Sequence, residues 1–480
     1  MTSNQQTVII ATVPWTDTNA PLMAPAALKA NLAYHHTPST TIDLNAEVMQ
    51  LMQSHVRRDS ILKFFLTEQV DRDAKYAIRE ILDFMTDRLL ENSPTWILLS
   101  LLTYLSQNAT RWLCFCLRQK NPQVKIVIGG PGAFVSLTSF DNYAQTLRHQ
   151  NLIDHFVSGD GEVSLVKLLQ GQEQYRGIDG TDWQQIPTLN DQPIPDFSDY
   201  DWSLYPIKRI SIVGSRGCVR KCTFCDIHEH WSKYQWRSGQ DIFREMQHQS
   251  NTYGINIFSF SDSLVNGNQN EFRSLLRLLA EHNTQFAHQQ IQWTGSFIVR
   301  PRKQMQETDW HLMAKSGAIM LNVGVESFVE HIRYHIKKKF SNDDLDFVLQ
   351  MAQKYDIPMT LLTIVGYATE TRQDFEQQLD WVRHNRHYAD NPVKMVQIGS
   401  GLSILPNTWL DRNKTDLGIL VNDSDVKQDW TNPGTGSTPT VRMQWHREMR
   451  TTLEQNGFQV AYLADNHVLI ESYINDKYQS

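Results

Sequence analysis

Three cysteines fall within eight residues of this chain, in the run Ser215-Arg216-Gly217-Cys218-Val219-Arg220-Lys221-Cys222-Thr223-Phe224-Cys225-Asp226. Thiolates spaced by three and then two residues can wrap one inorganic centre, and they cannot staple distant parts of a fold. The other two cysteines of the 480 residues, Cys114 and Cys116, lie in the apolar stretch Trp112-Leu113-Cys114-Phe115-Cys116-Leu117. They read as core residues, and five cysteines so clustered do not make a disulfide framework. The expectation is a reducing, cytosolic compartment. A cubane 4Fe–4S cluster on Cys218, Cys222 and Cys225 would leave its fourth iron open to another ligand. The alternative for the same loop is a zinc site with His228 as the fourth ligand. With Cys114 and Cys116 in the core, no thiols remain for a second cluster.

The length, at ~150 residues per domain, allows about three domains or two large ones. Hydrophobic residues make up 41% and charged residues 20%, which suits folded cores. No apolar run approaches the ~20 residues of a membrane helix. The short apolar run Val8–Val13 has no basic stretch before it, so a secretory signal and a membrane partner are not expected. The formal charge of −7, with no long basic run, argues against a broad grip on nucleic acid.

The N-terminal part alternates strand-like and helix-like stretches. Val8–Val13, Thr40–Leu44, Trp96–Leu102, Lys125–Ile128 and His155–Val157 have strand length, and helical periodicity runs from Ile61 to Leu90. Two strands end in glycine turns, Gly129-Gly130-Pro131-Gly132 and Gly159-Asp160-Gly161-Glu162. That pattern predicts a doubly wound, Rossmann-like domain over 1–170. Residues 171–208, punctuated by Pro187, Pro193, Pro195 and Pro206, read as a linker. From 209 to 410 six strand candidates alternate with helices: Arg209–Val213, Asn256–Phe260, Gln292–Val299, Ala318–Val323, Met359–Val365 and Met395–Gly401. Six such units predict a partial (β/α)6 TIM-type barrel, whose site would lie at the carboxyl ends of the strands. The cysteine loop follows the first of them. Residues 411–480 predict a small α+β segment that could shape a substrate pocket, with Trp409, Trp430, Trp445 and Tyr473 as aromatic candidates.

The cysteine loop, with Phe224 just before its third cysteine, resembles the signature of the radical S-adenosylmethionine superfamily. Further segments are similar to that family in the same order: Ser259-Phe260-Ser261-Asp262, Asn322-Val323-Gly324-Val325-Glu326-Ser327, Gly366-Tyr367-Ala368-Thr369-Glu370-Thr371 and Leu405-Pro406-Asn407-Thr408-Trp409-Leu410. The resemblance implies that Cys218, Cys222 and Cys225 hold the cluster and that S-adenosylmethionine binds its open iron. It implies that Glu326 bonds the cofactor's polar groups and that Phe224 lies beside the adenine. Asp262 and Gly366 would lie near the cofactor. Arg300 could reach its carboxylate or pair with a nearby acid. The triplet Lys337-Lys338-Lys339 resembles the family's lysine-glycine segment.

The first half of the chain, with the linker that follows it, resembles the cobalamin-binding-type domain that precedes the radical domain in one large subgroup. The matching pieces are Ile128-Gly129-Gly130-Pro131, Ser158-Gly159-Asp160-Gly161-Glu162 and Pro195-Asp196-Phe197-Ser198. The resemblance implies a corrin between the two domains, resting on Gly129, Gly130 and Gly159. The Asp-x-His-x-x-Gly motif that supplies a histidine to cobalt is absent, so a bound corrin would lack that ligand. The implied function is cobalamin-dependent methylation of an unactivated carbon in a small-molecule or peptide substrate. An external donor such as flavodoxin or ferredoxin would supply electrons. A radical cyclisation, oxidation or rearrangement is the alternative within the family, and a non-catalytic cluster or zinc scaffold the alternative outside it.

Overall fold

The computed structural model describes residues 7–16, 20–134, 142–180, 182–399, 401–421 and 428–462. Backbone contacts divide the chain into two units, 1–211 and 212–480.

The first unit is built on β1 (Val8–Thr12), β2 (Ser39–Asp43), β3 (Trp96–Ser100), β4 (Lys125–Gly129) and β5 (His155–Val157). They pair in the order β2-β1-β3-β4-β5, and every pairing is parallel. Strands covered by helices on both faces must be apolar at consecutive positions, and β1 is buried at all five. Alternation divides its side chains between two cores. Ile9 and Ala11 join Ile97, Leu99, Ile126 and Ile128 on one face, whereas Val8 and Ile10 join Leu98, Val127 and Val157 on the other. The order reverses between β1 and β3, the place where open α/β sheets take their ligands.

The periodicity from Ile61 to Leu90 is interrupted. One helix, Arg58–Thr67, stops at Glu68 with φ 57°, and a second runs Lys75–Leu90. Between them Val70 is exposed, and only Ala74, at the end of the short 3-10 turn Arg72–Ala74 that leads into the second helix, reaches the core. Residues 171–208 are packed onto the first unit. Phe197, Tyr200 and Tyr205 are buried, the Tyr205 hydroxyl donates to Asp43 Oδ2 at 2.6 Å, and Lys29 pairs with Asp199 at 2.7 Å.

β6 (Ile210–Ile212) spans the boundary, and the second unit contains β7 (Ser215–Arg216), β8 (Gln235–Trp236), β9 (Ile257–Phe260), β10 (Gln292–Phe297), β11 (Ala318–Glu326), β12 (Met359–Thr363), β13 (Val393–Ile398), β14 (Leu420–Val421), β15 (Trp430–Thr431) and β16 (Val460–Tyr462). Among the described residues the main sheet has seven strands, ordered β16-β13-β12-β11-β10-β9-β6, and the pairings from β9 to β16 are parallel. The six expected strands are present in sequence order. The seventh, β16, comes from the C-terminal segment, which returns through the helix Pro439–Gln455 to pair with β13. Two of the helices between strands start at reciprocal polar caps. Ser341 with Asp344 and Thr371 with Asp374 form reciprocal capping boxes that satisfy otherwise orphaned N–H groups.

Candidate functional site

The cysteine loop is closed at its base and pinned along its length. Antiparallel pairing of β7 with β8 sets Ser215 opposite Trp236 and Arg216 opposite Gln235. Gly217 turns the chain at φ 82°, where a β-carbon would stand 3.0 Å from the Lys233 carbonyl oxygen. Thr223, wholly buried, donates its N–H to the Ile336 carbonyl at 3.1 Å and accepts from the Leu410 N–H at 2.9 Å. Its hydroxyl meets the Tyr367 hydroxyl at 2.7 Å. These bonds fix the backbone between Cys222 and Cys225 from three separate segments.

All three thiols are free and partly buried. Loss of hydration raises the pKa of each, that of Cys225 to about 12. Lys338 opposes that shift at Cys218 and Cys222 by its positive charge. Such thiols are poor acids in the empty loop yet become thiolates on cationic iron, which neutralises their charge. Among the described residues, no three His, Cys, Asp or Glu side chains are grouped to hold a single metal ion. His228, the fourth ligand a zinc site would need, donates Nε2–H to the Arg220 carbonyl at 2.6 Å. A cubane takes one thiolate per iron, so its ligands need not converge on one point. The donor set therefore fits the cluster better than zinc.

Asp262, just past β9, is buried. It accepts from the Gly214 N–H at 2.8 Å and from the Ser215 hydroxyl at 2.6 Å. Burial lifts its pKa to about 7. Its carboxyl thus secures the root of the cysteine loop. Arg300, past β10, donates from Nη2 to the Asn266 and Gly267 carbonyls, each at 2.8 Å. Its buried Nε has no partner, and Cys218 and Arg220 lie within electrostatic reach. Phe224 and Cys222 pack against an apolar cluster that includes Ile336, Tyr367, Leu410 and Trp430.

Glu326 ends β11 at φ 65°, beside a register shift with β12. It pairs with the Lys338 ammonium at 2.7 Å, both side chains nearly buried. Gly324 makes room: a β-carbon there would meet Lys338 Nζ at 2.6 Å and Glu326 Oε1 at 2.9 Å. Lys338 was not expected as a site residue. The triplet resembles the family's lysine-glycine segment, and nothing in the string marks which of its lysines turns inward. Gly366 has φ 78°, and the side its missing β-carbon leaves open is filled by the Arg442 side chain, whose Cγ would lie 2.6 Å away. Its N–H, like that of Tyr367, donates to the buried Glu370, at 2.7 and 2.9 Å.

The three glycines of the first unit lie at or just past the carboxyl ends of β4 and β5. A β-carbon on Gly130 would stand 2.4 Å from the Leu101 carbonyl oxygen, and one on Gly159 2.0 Å from that of Gln184. Gly129 would tolerate one, its nearest neighbour being the Val157 carbonyl oxygen at 3.4 Å. Gly130 and Gly159 thus let the chain approach its own backbone. The better sign of a ligand is at the end of β1, where Thr12 Oγ1, Trp15 Nε1 and Thr16 Oγ1 are buried with no hydrogen-bond partner. Buried polar atoms without partners are rare, and these stand beside the strand-order reversal. That end of the sheet therefore offers buried hydrogen-bonding groups to a polar ligand.

Trp430 is wholly buried with its indole N–H on the Leu402 carbonyl at 2.7 Å, and Trp445 stacks on Phe375 with centroids 4.9 Å apart. Both are core residues. Trp409 carries the Lys337 ammonium 4.4 Å over its ring. Tyr473 lies outside the described residues.

The sequence model of the Radical SAM superfamily matches residues 212–382, the stretch that carries the cysteine loop, Asp262, Glu326 and Lys338. The chain carries a radical SAM domain. Such a domain implies a 4Fe–4S cluster and S-adenosylmethionine. Similar proteins include an anaerobic magnesium-protoporphyrin IX monomethyl ester cyclase of Synechocystis sp., 26% identical over 56% of this chain and 55% of that one. Another is the cytidylyl-2-hydroxyethylphosphonate methyltransferase of Streptomyces wedmorensis, 32% identical over 32% of this chain and 27% of that one. The chain thus aligns with about half or less of these relatives' own lengths. In fold, it is similar to the radical S-adenosylmethionine methyltransferase TsrM from Kitasatospora setae, solved with cobalamin and a [4Fe-4S] cluster bound. The TM-score is 0.63 at 14% identity, over 88% of this chain and 81% of that one. Among the described residues, no helix is long and apolar enough to cross a membrane.

Proposed function

We propose that this chain methylates an unactivated carbon of a small-molecule or peptide substrate, with the radical domain activating the substrate and the first unit holding cobalamin. The observation that carries this reading is the pairing, in one chain, of a pinned three-thiol loop with a doubly wound sheet that keeps orphaned polar atoms at its switch point. The methyltransferase relative and the likeness to TsrM support it. When bound, the cluster on Cys218, Cys222 and Cys225 would supply the low-potential electron needed for reductive cleavage of S-adenosylmethionine. When bound, cobalamin supplies a methyl group.

The chain's own residues would do the holding. Cys218, Cys222 and Cys225 would take three irons. Asp262 and Thr223 keep that loop in place through their hydrogen bonds. Arg300, with an unpartnered Nε, would receive the cofactor carboxylate, Glu326 its amino or hydroxyl groups, and Phe224 its adenine. Arg220 and Lys221 flank the cysteines and suit an acidic electron donor of the flavodoxin or ferredoxin kind.

The cyclase relative favours a second reading, radical cyclisation or oxidation without methyl transfer. Products of anaerobic turnover separate the two. Methyl transfer yields S-adenosylhomocysteine together with 5′-deoxyadenosine, whereas 5′-deoxyadenosine alone, with a methylation-free product, would sink the first reading in favour of the second.

A further inference from the structure

We propose that Lys338 is a positioning residue of the cluster site, its fixed positive charge orienting Glu326 and favouring the reduced form of the cluster; this rests on the cluster assignment to Cys218, Cys222 and Cys225. Several features of the fold converge on that one ammonium. Lys338 is 7% exposed. The residues on either side of it, Lys337 and Lys339, both adopt left-handed backbone, at φ 70° and 56°. Glu326, its partner, does the same at φ 65°. Non-glycine residues hold such conformations only where the surroundings enforce them, and clusters of them mark functional sites.

Arg333 does the enforcing. Wholly buried, it donates to the Ser327 carbonyl at 3.0 Å and to the Phe340 carbonyl at 3.4 Å, which ties the lysine turn to the end of β11. The turn sends Lys337 over Trp409, leaves Lys339 exposed, and drives Lys338 inward. There it has Glu326 as its ion-pair partner, and the sulfurs of Cys222 and Cys218 lie within electrostatic reach.

A 2+ cubane core on three thiolates carries a net charge of about −1, and uptake of one electron from a low-potential donor takes it to about −2. A nearby cation in a poorly screened site stabilises the more negative state. Glu326 partly offsets that cation. Removing the lysine and removing the glutamate should therefore shift the couple in opposite directions.

The test uses the full chain, reconstituted anaerobically with iron and sulfide, as parent, Lys338→Met, Lys338→Arg and Glu326→Gln. Iron and sulfide are counted first, and the couple is then titrated with dithionite and mediators while the reduced cluster is followed by electron paramagnetic resonance. Lys338→Met should lower the reduced-to-oxidised ratio at a given potential about tenfold, ~59 mV for one electron. Glu326→Gln should move the couple the other way, and Lys338→Arg should stay near the parent. No shift in Lys338→Met, or shifts of the same sign in the two neutralising variants, would overturn the proposal. If Lys338→Met loses its cluster, the sign in Glu326→Gln decides. A parent that binds no iron and sulfide would instead overturn the cluster assignment on which the proposal rests.

Discussion

Replacing one member of the Glu326–Lys338 pair should cost far more than replacing both. The two charges meet at 2.7 Å with side chains 12% and 9% exposed, so water can solvate neither well. Removing one partner of a buried pair leaves an uncompensated charge and costs about 3–5 kcal/mol. Replacing both by neutral groups of similar length removes the attraction together with the desolvation penalty, and the net cost is then small. Glu326→Gln and Lys338→Met should each lower the unfolding free energy of the second unit by about 3 kcal/mol or more. The double variant should cost far less than their sum, so that the coupling energy is well above about 3 kcal/mol. The assay is urea unfolding of the metal-free chain, followed by hydrogen exchange in peptides covering β11 and β12, which reports the second unit separately from the first. Costs that add to within about 0.5 kcal/mol would refute the reasoning, because the two groups would then not sense each other.

Alanine at Cys218, Cys222 or Cys225 should abolish reductive cleavage of S-adenosylmethionine; a variant that still forms 5′-deoxyadenosine at the parental rate would contradict the ligand assignment. Asp262 and Glu370 are both lifted by burial to about 7. Each therefore holds a proton in the folded chain that the unfolded chain gives up near pH 4, and this contribution to stability is lost as pH rises from about 4 through 7. Denaturant melts of the metal-free chain across that window should show a shallower fall for Asp262→Asn with Glu370→Gln than for the parent, and parallel slopes would refute the assignment. The segments that follow the first unit's strands, 13–22, 101–103, 130–142 and 158–160, contain no histidine. Hydroxocobalamin added to the metal-free chain and desalted should remain bound, and its reduced form should show no nitrogen hyperfine splitting from an axial histidine. Failure to retain any corrin would remove cobalamin and with it the methyltransferase reading.

The site was partly legible because some chemistry is local. Three thiols within one loop can only serve one place, and a strand, glycine turn and helix in succession dictate a parallel sheet whose ligands lie at its carboxyl ends. Other roles depended on partners far away in the chain. Asp262 could be located at a strand end, but that it holds Gly214 and Ser215 follows only from the pairing of distant strands. Gly130 and Gly159 were expected to admit a ligand, and the folded chain shows that their open sides face Leu101 and Gln184. Trp430 and Trp445 could have lined a pocket, and the C-terminal segment folds them into the core.

What the sequence by itself determined is the character of each element and the grouping of three thiols in one loop. Apolar runs buried on both faces, capping residues at helix starts and cysteine spacing are properties of neighbours along the chain, and they act before any distant contact forms. What only the tertiary structure decided is which charges meet in the dry interior. Lys337, Lys338 and Lys339 are chemically identical in the string. A turn held by Arg333 sends the middle one to Glu326 and leaves its neighbours toward Trp409 and the surface. The physical reason is that burying a charge costs several kcal/mol unless a partner waits for it, and the partner here lies twelve positions earlier in the chain, at the end of another element.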